Sequence, residues 1–414
     1  MLDAYLYSGL RSPIARHAGK LANVRPDDLA AIVIREVIAR SGFRAEDIED
    51  VVLGCSCQAG EDSRNLGRHA ALLAGLPPEV AGQTVNRLCG SGLAAVLDTA
   101  RAVSCGEGGL YVAGGVESMS RAPFVVAKSE SPFSRDFKVF DTTIGARFPN
   151  PRIVEHYGND TMPETADNVA AQFGLTREDS DRFAACSQTK YAGAKAAGFY
   201  TEEILPIAVP TGRKTPPTMV FDDEHPRPES DFDSLARLKP LAAGGVVTAG
   251  NASGINDGAA AVLVGSAAAG EKAGRQPLAR ILAGAVCGVA PRIMGVGPAY
   301  AIPKALERAG LSLADMDIIE INEAFAPQVL GCLKLLGLAY DDPRVNPNGG
   351  AIALGHPLGA SGARIVLTAA RQLHRSGSRY AVVSLCIGVG HGIAVVIERV
   401  HSGQRVGRAG IVRE

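Results

Sequence analysis

Short runs of β-branched and apolar residues recur along the chain, and most of them stop at glycine. Val51-Val-Leu53 ends in Gly54, Tyr111-Val-Ala113 in Gly114-Gly115, and Val262-Leu-Val264 in Gly265, while Ala381-Val-Val383 runs towards Gly388. Continuous apolar runs of this length read as strands buried on both faces. Helical spacing follows two of the glycine turns. Leu93, Val96, Leu97 and Ala100 recur at that interval, as do Ile365, Val366, Ala369 and Leu373. Buried strands alternating with helices predict an α/β fold.

The pattern repeats. Gly42-Phe-Arg-Ala-Glu-Asp47 leads into Val51, and Gly310-Leu-Ser-Leu-Ala-Asp315 leads into Ile319; each reads as a helix end, an acidic cap and a buried strand. Cys89-Gly-Ser-Gly92 and Gly359-Ala-Ser-Gly362 then each read as a glycine-rich strand-to-helix turn. Two similar halves are expected, with chance likeness between common α/β pieces as the alternative. Between them, residues 121–245 are richer in Pro, Asp, Ser, Arg and Phe, as in Ser131-Pro-Phe-Ser-Arg135 and Asp222-Asp-Glu-His-Pro-Arg-Pro228. Helical patterns there cover 166–173 and 179–197. The organisation expected is an N-terminal half over 1–120, completed by about 246–273, a loop domain over 121–245 covering a site, and a C-terminal half over 274–414.

Composition narrows the function. The chain has 414 residues, 46% hydrophobic and 21% charged, with a net charge of −1, which argues against a nucleic-acid-binding protein. No apolar run is long enough for a membrane span, and Met1–Lys20 lacks the layout of a signal peptide. Eight cysteines without framework spacing point to reduced thiols, so the expected location is cytoplasmic. The final Ile411-Val-Arg-Glu414 is not a recognised address. Cys55-Ser-Cys57 lacks a second pair at zinc spacing, so no metal is expected. Neither a Walker loop nor a dinucleotide fingerprint is present. Cys105, Cys186, Cys287 and Cys332 lie in helical or apolar stretches and are expected in the core.

Four positions carry candidate chemistry. Cys89, between an extended segment and a helix start, suits a nucleophile, because a helix N-terminus favours thiolate and its N–H groups can hold an oxyanion. His356, flanked by Gly355 and Pro357, suits a general base for a cysteine. Cys386, at the end of a strand, suits a proton donor that can work in reverse, with an unperturbed thiol pKa of about 8.5. Asn322, opening Asn322-Glu-Ala-Phe325, suits an amide that positions a water. Plainer readings stand beside these: buried structural cysteines, a loop histidine bonded to backbone, and a helix N-cap at Asn322.

Taken together, Asn86-Arg-Leu-Cys-Gly-Ser-Gly92, Gly114-Gly-Val-Glu-Ser-Met-Ser120, Ala249-Gly-Asn-Ala-Ser-Gly254, Asn322-Glu-Ala-Phe325, Gly355-His-Pro-Leu-Gly-Ala-Ser-Gly362 and Cys386-Ile-Gly-Val-Gly390 resemble the thiolase motif set, in thiolase order and over nearly the whole chain. The resemblance implies two βαβαβαββ halves in a five-layered αβαβα arrangement with an inserted loop domain, in dimers or tetramers. It implies that Cys89 carries the acyl group, His356 deprotonates it and Cys386 is the second acid/base. Asn322 would hold a water that, with His356, binds the acetyl-CoA thioester oxygen; the Cys89 and Gly388 N–H groups would form the other oxyanion hole. Ala249, Gly250 and Ser253 would line the pantetheine channel, Phe325 would lie near the reacting carbon, and Met162 would stand where the covering loop meets pantetheine. Coenzyme A is then a substrate, and no bound cofactor is implied.

Many short-chain biosynthetic thiolases carry a His-Met pair where this chain has Asp160-Thr-Met-Pro-Glu-Thr165. That departure, with Gly60-Glu-Asp-Ser-Arg-Asn65, Ser120-Arg-Ala-Pro-Phe124 and Asp141-Thr-Thr-Ile-Gly145, looks closest to 3-oxoadipyl-CoA thiolases of aromatic-compound breakdown. A carboxylate-ended substrate would call for a basic residue, for which Arg64, Arg68, His69 and Arg147 are candidates; surface or dimer contacts are their other reading. A general 3-oxoacyl-CoA or acetoacetyl-CoA thiolase is the alternative. Decarboxylating ketoacyl synthases share the fold but are disfavoured by the second cysteine, and a non-catalytic acyl-CoA or lipid binder is disfavoured because Cys89, His356 and Cys386 are all kept.

Overall fold

The computed structural model describes residues 1–57, 60–212 and 214–400. The C-terminal Ile411–Glu414, expected to carry no address, lies outside the described residues.

The N-terminal half opens with β1 (Ala4–Arg11) and a short β2 (Ala15–Arg16). It continues through α1 (Pro26–Ser41), β3 (Asp50–Gly54), α2 (Leu66–Leu73), β4 (Ala81–Val85), α3 (Ser91–Cys105) and β5 (Leu110–Ser118). The middle of the chain carries two small hairpins, β6 (Phe124–Val126) with β7 (Val139–Asp141) and β8 (Ile207–Val209) with β9 (Thr218–Val220). Helices α4 (Pro151–Tyr157), α5 (Met162–Phe173), α6 (Arg177–Ala196) and α7 (Phe232–Ala236) accompany them. Strand β10 (Asn256–Gly265) returns to the first half and is followed by α8 (Ala267–Ala273). The second half comprises β11 (Ala279–Gly288), α9 (Gly297–Ala309), β12 (Ile318–Ile321), α10 (Ala326–Leu336), α11 (Ala351–Leu354), α12 (Leu358–Ser376), β13 (Tyr380–Ile387) and β14 (His391–Arg399).

The two halves wind alike. In the first the order is β4-β3-β5-β10-β1, and in the second β12-β13-β14-β11. The outermost place of the second half, matching β4, is reduced to a parallel bridge between Ile319 and Val345. The halves join edge to edge where β1 pairs antiparallel with β11. Both copies of the repeat end a helix on a left-handed glycine, Gly42 at φ 77° and Gly310 at φ 70°, as the sequence spacing predicts. The acid that follows behaves differently in each copy. Asp315 accepts from the Ser312 N–H and caps its turn, whereas Asp47 pairs with Lys272.

Strand alternation builds the layers. On β10, Ala260, Val262 and Val264 face a central core, while Ala259, Ala261 and Leu263 face an outer one under α1 and α2. The central core is filled by α3 and α12, gripped between the two halves of the sheet. A third core lies under α9 and α10 on the far face of β11–β14. Helix, sheet, helix pair, sheet and helix therefore succeed one another. Two glycine positions depart from the sequence reading. Gly114 and Gly115 do not end β5 but lie inside it, and at Gly115 a side chain would strike the Gly359 carbonyl of α12. The Gly359–Gly362 turn is not a strand-to-helix turn either; it forms the first turn of α12, entered from α11.

Candidate active site

Past the end of β4 the chain turns sharply through Leu88, whose φ of 46° is a costly left-handed conformation for leucine. Side chains hold the turn. Asn86 Oδ1 accepts from the Leu88 N–H at 2.9 Å. Ser91 Oγ accepts from the Arg87 N–H at 2.9 Å and donates to the Leu88 carbonyl at 2.6 Å. This sets Cys89 just ahead of α3, with the Gly388 N–H directed at its sulfur. Cys89 keeps some open surface, yet the protein around it is dense. Burial pushes the thiol up to about 11, outweighing the Gly388 and Cys89 N–H groups that favour the anion. The expectation that the helix start would favour thiolate is therefore corrected, since desolvation wins and the resting group is a thiol.

His356 is 4% exposed. Gly355, at φ 100°, and the His356 N–H, which donates to Asn256 Oδ1 at 2.8 Å, fix the backbone before it. Its Nδ1 lies 2.6 Å from Ser361 Oγ, and that hydroxyl donates to the Pro357 carbonyl at 3.0 Å. With its proton so used, Ser361 accepts from the ring, which places the ring hydrogen on Nδ1 and leaves Nε2 unprotonated. Burial, reinforced by the Arg364 charge, lowers the imidazole to about 3, so it is neutral at physiological pH.

Nε2 faces the Asn322 amide at 3.4 Å. Asn322 in turn donates its N–H to the Ser384 carbonyl at 2.9 Å, two residues before Cys386 on β13. Its Oδ1 is buried with no protein partner. The N-cap reading of Asn322 does not hold, because α10 starts four residues later at Ala326, after Phe325. Cys386 is 1% exposed, and burial, with Cys89 and Cys332 close by, holds its thiol well above the usual cysteine range. The unperturbed acidity expected of Cys386 is thus also corrected.

The structure brings Cys89 together with Cys386 and the Gly388 N–H, and His356 together with Asn322, whose backbone is bonded to β13 two residues before Cys386. Phe325 and Cys386 share one apolar cluster with Ala324, Met294 and Met162. A side chain on Gly388 would come 3.4 Å from Leu88 and 3.7 Å from the Met162 sulfur. Ser253 donates its N–H to the Ala324 carbonyl at 2.9 Å, and Ala252 bridges to Phe325. Ala249 is exposed and Gly250 partly so, with Leu235 and Leu238 against Gly250.

Ser361 and Glu117 lay inside the thiolase-like motifs without a role of their own, and Asn256 lies two residues beyond Gly254. Glu117 accepts from the Ser56 N–H, the Ser56 hydroxyl, the Cys57 N–H and the Gly359 N–H, so it ties the start of α12 to the first half. A buried acid beside a glycine-rich helix start was the available signal. Among the basic candidates, Arg68 is occupied with the Val80 and Pro78 carbonyls, and Arg64 and His69 are exposed. Arg147 alone reaches the segment beside the nucleophile, 3.5 Å from the Ser56 carbonyl. Of the cysteines expected in the core, Cys332 is buried and Cys287 partly so, but Cys105 and Cys186 are exposed on the outer faces of their helices.

A layered pair of α/β halves, with two cysteines and a neutral histidine at their junction, is the arrangement of a carbon–carbon bond-handling acyltransferase. Family models described as thiolase, N-terminal domain and thiolase, C-terminal domain match residues 4–268 and 275–399. The chain belongs to the thiolase family. It is 56% identical over 402 residues to the 3-oxoadipyl-CoA/3-oxo-5,6-dehydrosuberyl-CoA thiolase of Escherichia coli K12, covering 97% of this chain and 100% of that one. A beta-ketoadipyl-CoA thiolase of Acinetobacter baylyi is similar to the same degree, with the same coverage. The solved structure of the Bacillus anthracis acetyl-CoA acetyltransferase superposes with a TM-score of 0.90 at 39% identity, covering 97% of this chain and 99% of that one.

Proposed function

We propose that this thiolase cleaves 3-oxoadipyl-CoA with CoA to give succinyl-CoA and acetyl-CoA, or runs the reverse condensation. The observation that carries the reading is the 56% identity, over nearly the whole chain, to thiolases named for that substrate. His356 Nε2, neutral and unprotonated, takes the Cys89 proton. The sulfur attacks the 3-oxo carbon, and the oxyanion rests on the Cys89 and Gly388 N–H groups. The C2–C3 bond breaks, its electron pair passes into an acetyl-CoA enolate, and the Cys386 thiol donates its proton to C2. The thioester oxygen of that enolate is held by the His356 Nε2–H and by a water on Asn322, a role supported by the unpartnered Asn322 Oδ1. In the second stage Cys386 recovers a proton from the incoming CoA thiol, whose sulfur attacks the acyl-Cys89 carbonyl. Cys89 leaves and takes its proton back from His356. The channel for pantetheine runs past Ala249, Gly250, Ser253, Phe325 and Met162, under a loop domain spanning 121–245.

The reading includes a cytoplasmic homo-oligomer, a dimer or tetramer. Phe124, Val126, Phe133, Phe137 and Val139 stand exposed on and between β6 and β7, and β4 is an open sheet edge; both are features that association covers. Among the described residues no helix is long and apolar enough to cross a membrane. Thiolysis of 3-oxoadipyl-CoA and acetoacetyl-CoA, measured side by side, tests the substrate. A higher kcat/KM for the dicarboxylic substrate is expected, whereas preference for acetoacetyl-CoA would turn the reading to a general acetyl-CoA acetyltransferase.

A further inference from the structure

We propose that Arg147 is the residue that binds the distal carboxylate of the acyl chain and so sets the preference for a dicarboxylic substrate. The inference rests on the 3-oxoadipyl-CoA reading above. Once the 3-oxo carbon is bonded to Cys89, the rest of the acyl group is two methylenes and a carboxylate, so its charge ends about 5 Å from the sulfur, close to the nucleophile turn. A carboxylate held there out of water needs a cation with hydrogen bonds to both oxygens, which a guanidinium supplies.

Arg147, in the segment between β7 and α4, is partly buried. Its Nη2 approaches the Ser56 carbonyl at 3.5 Å, and its Nη1 the Thr142 carbonyl at 3.5 Å, both at the outer limit of a hydrogen bond. The same Ser56 carbonyl accepts from Asn86 Nδ2 at 3.1 Å, and Asn86 Oδ1 holds the Leu88 N–H of the nucleophile turn. The guanidinium therefore stands two hydrogen bonds from the backbone that carries Cys89. The wall is continuous, since Cys57 Sγ lies 3.5 Å from Thr142 Oγ1 and Ser56 is anchored on Glu117. Among the described residues no carboxylate forms an ion pair with Arg147. Its charge is felt by Asp62, but that side chain accepts from the Gly60 N–H instead. A partly covered arginine with only long contacts to carbonyls has its strong donors available for an anion.

Arg87 is the competing cation. It lies two residues before Cys89, and its Nε is buried without a partner. Among the described residues its side chain makes no hydrogen bond to Ser56, which is why Arg147 is preferred.

The experiment measures thiolysis of 3-oxoadipyl-CoA and acetoacetyl-CoA by the full-length wild type and by the Arg147→Met, Arg147→Lys and Arg87→Met variants. Arg147→Met is expected to lower kcat/KM for 3-oxoadipyl-CoA about 100-fold, because a buried charge loses its partner. Acetoacetyl-CoA has no tail carboxylate and should stay within about twofold, which also certifies the fold. Arg147→Lys should restore part of the loss through charge without the paired geometry. Equal losses on both substrates, an unchanged preference, or a selective loss in Arg87→Met alone would each overturn the assignment. A wild type with no preference for the dicarboxylic substrate would remove the substrate reading and the tail site together. A wild type that prefers it, with Arg147→Met unchanged, would remove only the tail site.

Discussion

Two thiols placed close together are usually separated in role by their surroundings, and here the separation lies in what each one faces. Cys89 has N–H groups from Gly388 and its own backbone directed at its sulfur, and it keeps some access to solvent. Cys386 is closed in on its strand and held protonated by burial and by the nearness of Cys89. Charge on either sulfur disfavours charge on the other, so the pair works best with one anion at a time. Cys89→Ala should therefore abolish thiolysis and condensation alike, because no acyl carrier remains. Cys386→Ser keeps a hydroxyl of much weaker acidity in place of the thiol. It should still accept an acetyl group from acetyl-CoA onto Cys89 while carbon–carbon bond cleavage falls by about 10²–10⁴-fold. Mass spectrometry of the acyl-enzyme, set against steady-state thiolysis, separates the two steps. If labelling of Cys89 falls in parallel with cleavage, the division of labour between the cysteines is wrong.

At the scale of the elements, the site depends on how closely α3 and α12 approach. Gly92 and Gly362 face the opposing backbone, and a side chain on Gly362 would collide with the Leu93 backbone nitrogen. Gly362→Ala brings the usual helical gain of about 1 kcal/mol, but a rigid backbone cannot yield as a side chain could, and overpacking of this kind costs about 1–3 kcal/mol. The expected result is a lower thermal midpoint together with lost activity, since Ser361 and the His356 loop move with the helix start. Gly193→Ala is the control. Gly193 lies on the exposed side of α6 with open space around it, so the helical gain should appear alone as a small rise in midpoint. A neutral Gly362→Ala would mean that the helices have slack the structure does not show. The same contact explains what the sequence conveyed and what it did not. Apolar runs and glycine stops located β3, β10 and β13, and the Gly42 and Gly310 copies located both halves, because local propensity and burial agree there. Gly114 and Gly115 read as a strand end, because the backbone that requires them is distant in sequence: the Ala260 carbonyl of β10 for Gly114, and for Gly115 the Gly359 carbonyl of α12, 244 residues further along the chain. The thiol acidities of Cys89 and Cys386 were misread for a related reason: spacing reveals a helix start but not the density of protein packed over it.

For the whole molecule, the buried ionisable groups pull stability in opposite directions with pH. His356, lowered to about 3, and His225, lowered to about 4, are kept neutral chiefly by burial. In the unfolded chain they titrate near 6.5, so the stability linked to them is present above that value and is lost as the pH falls through 4 and 3. Glu320 on β12 has the opposite sign. Burial, with Glu323 adding to it and Arg364 opposing it, raises its carboxyl to about 8, and its Oε1 has no partner. Unfolded, it ionises near 4.5. Its protonated form therefore favours the fold below that value, and the advantage is lost as the pH rises towards 8. Glu320→Gln removes the titration while keeping the shape. Urea midpoints at pH 5 and pH 8 should show the variant gaining on the wild type by on the order of 1–3 kcal/mol over that interval. The readout is the change with pH rather than the offset at either end, so an amide that packs slightly better or worse beside Arg364 does not confuse it. Parallel curves for the two proteins would mean that Glu320 is already ionised in the fold, held by Arg364 as a buried ion pair.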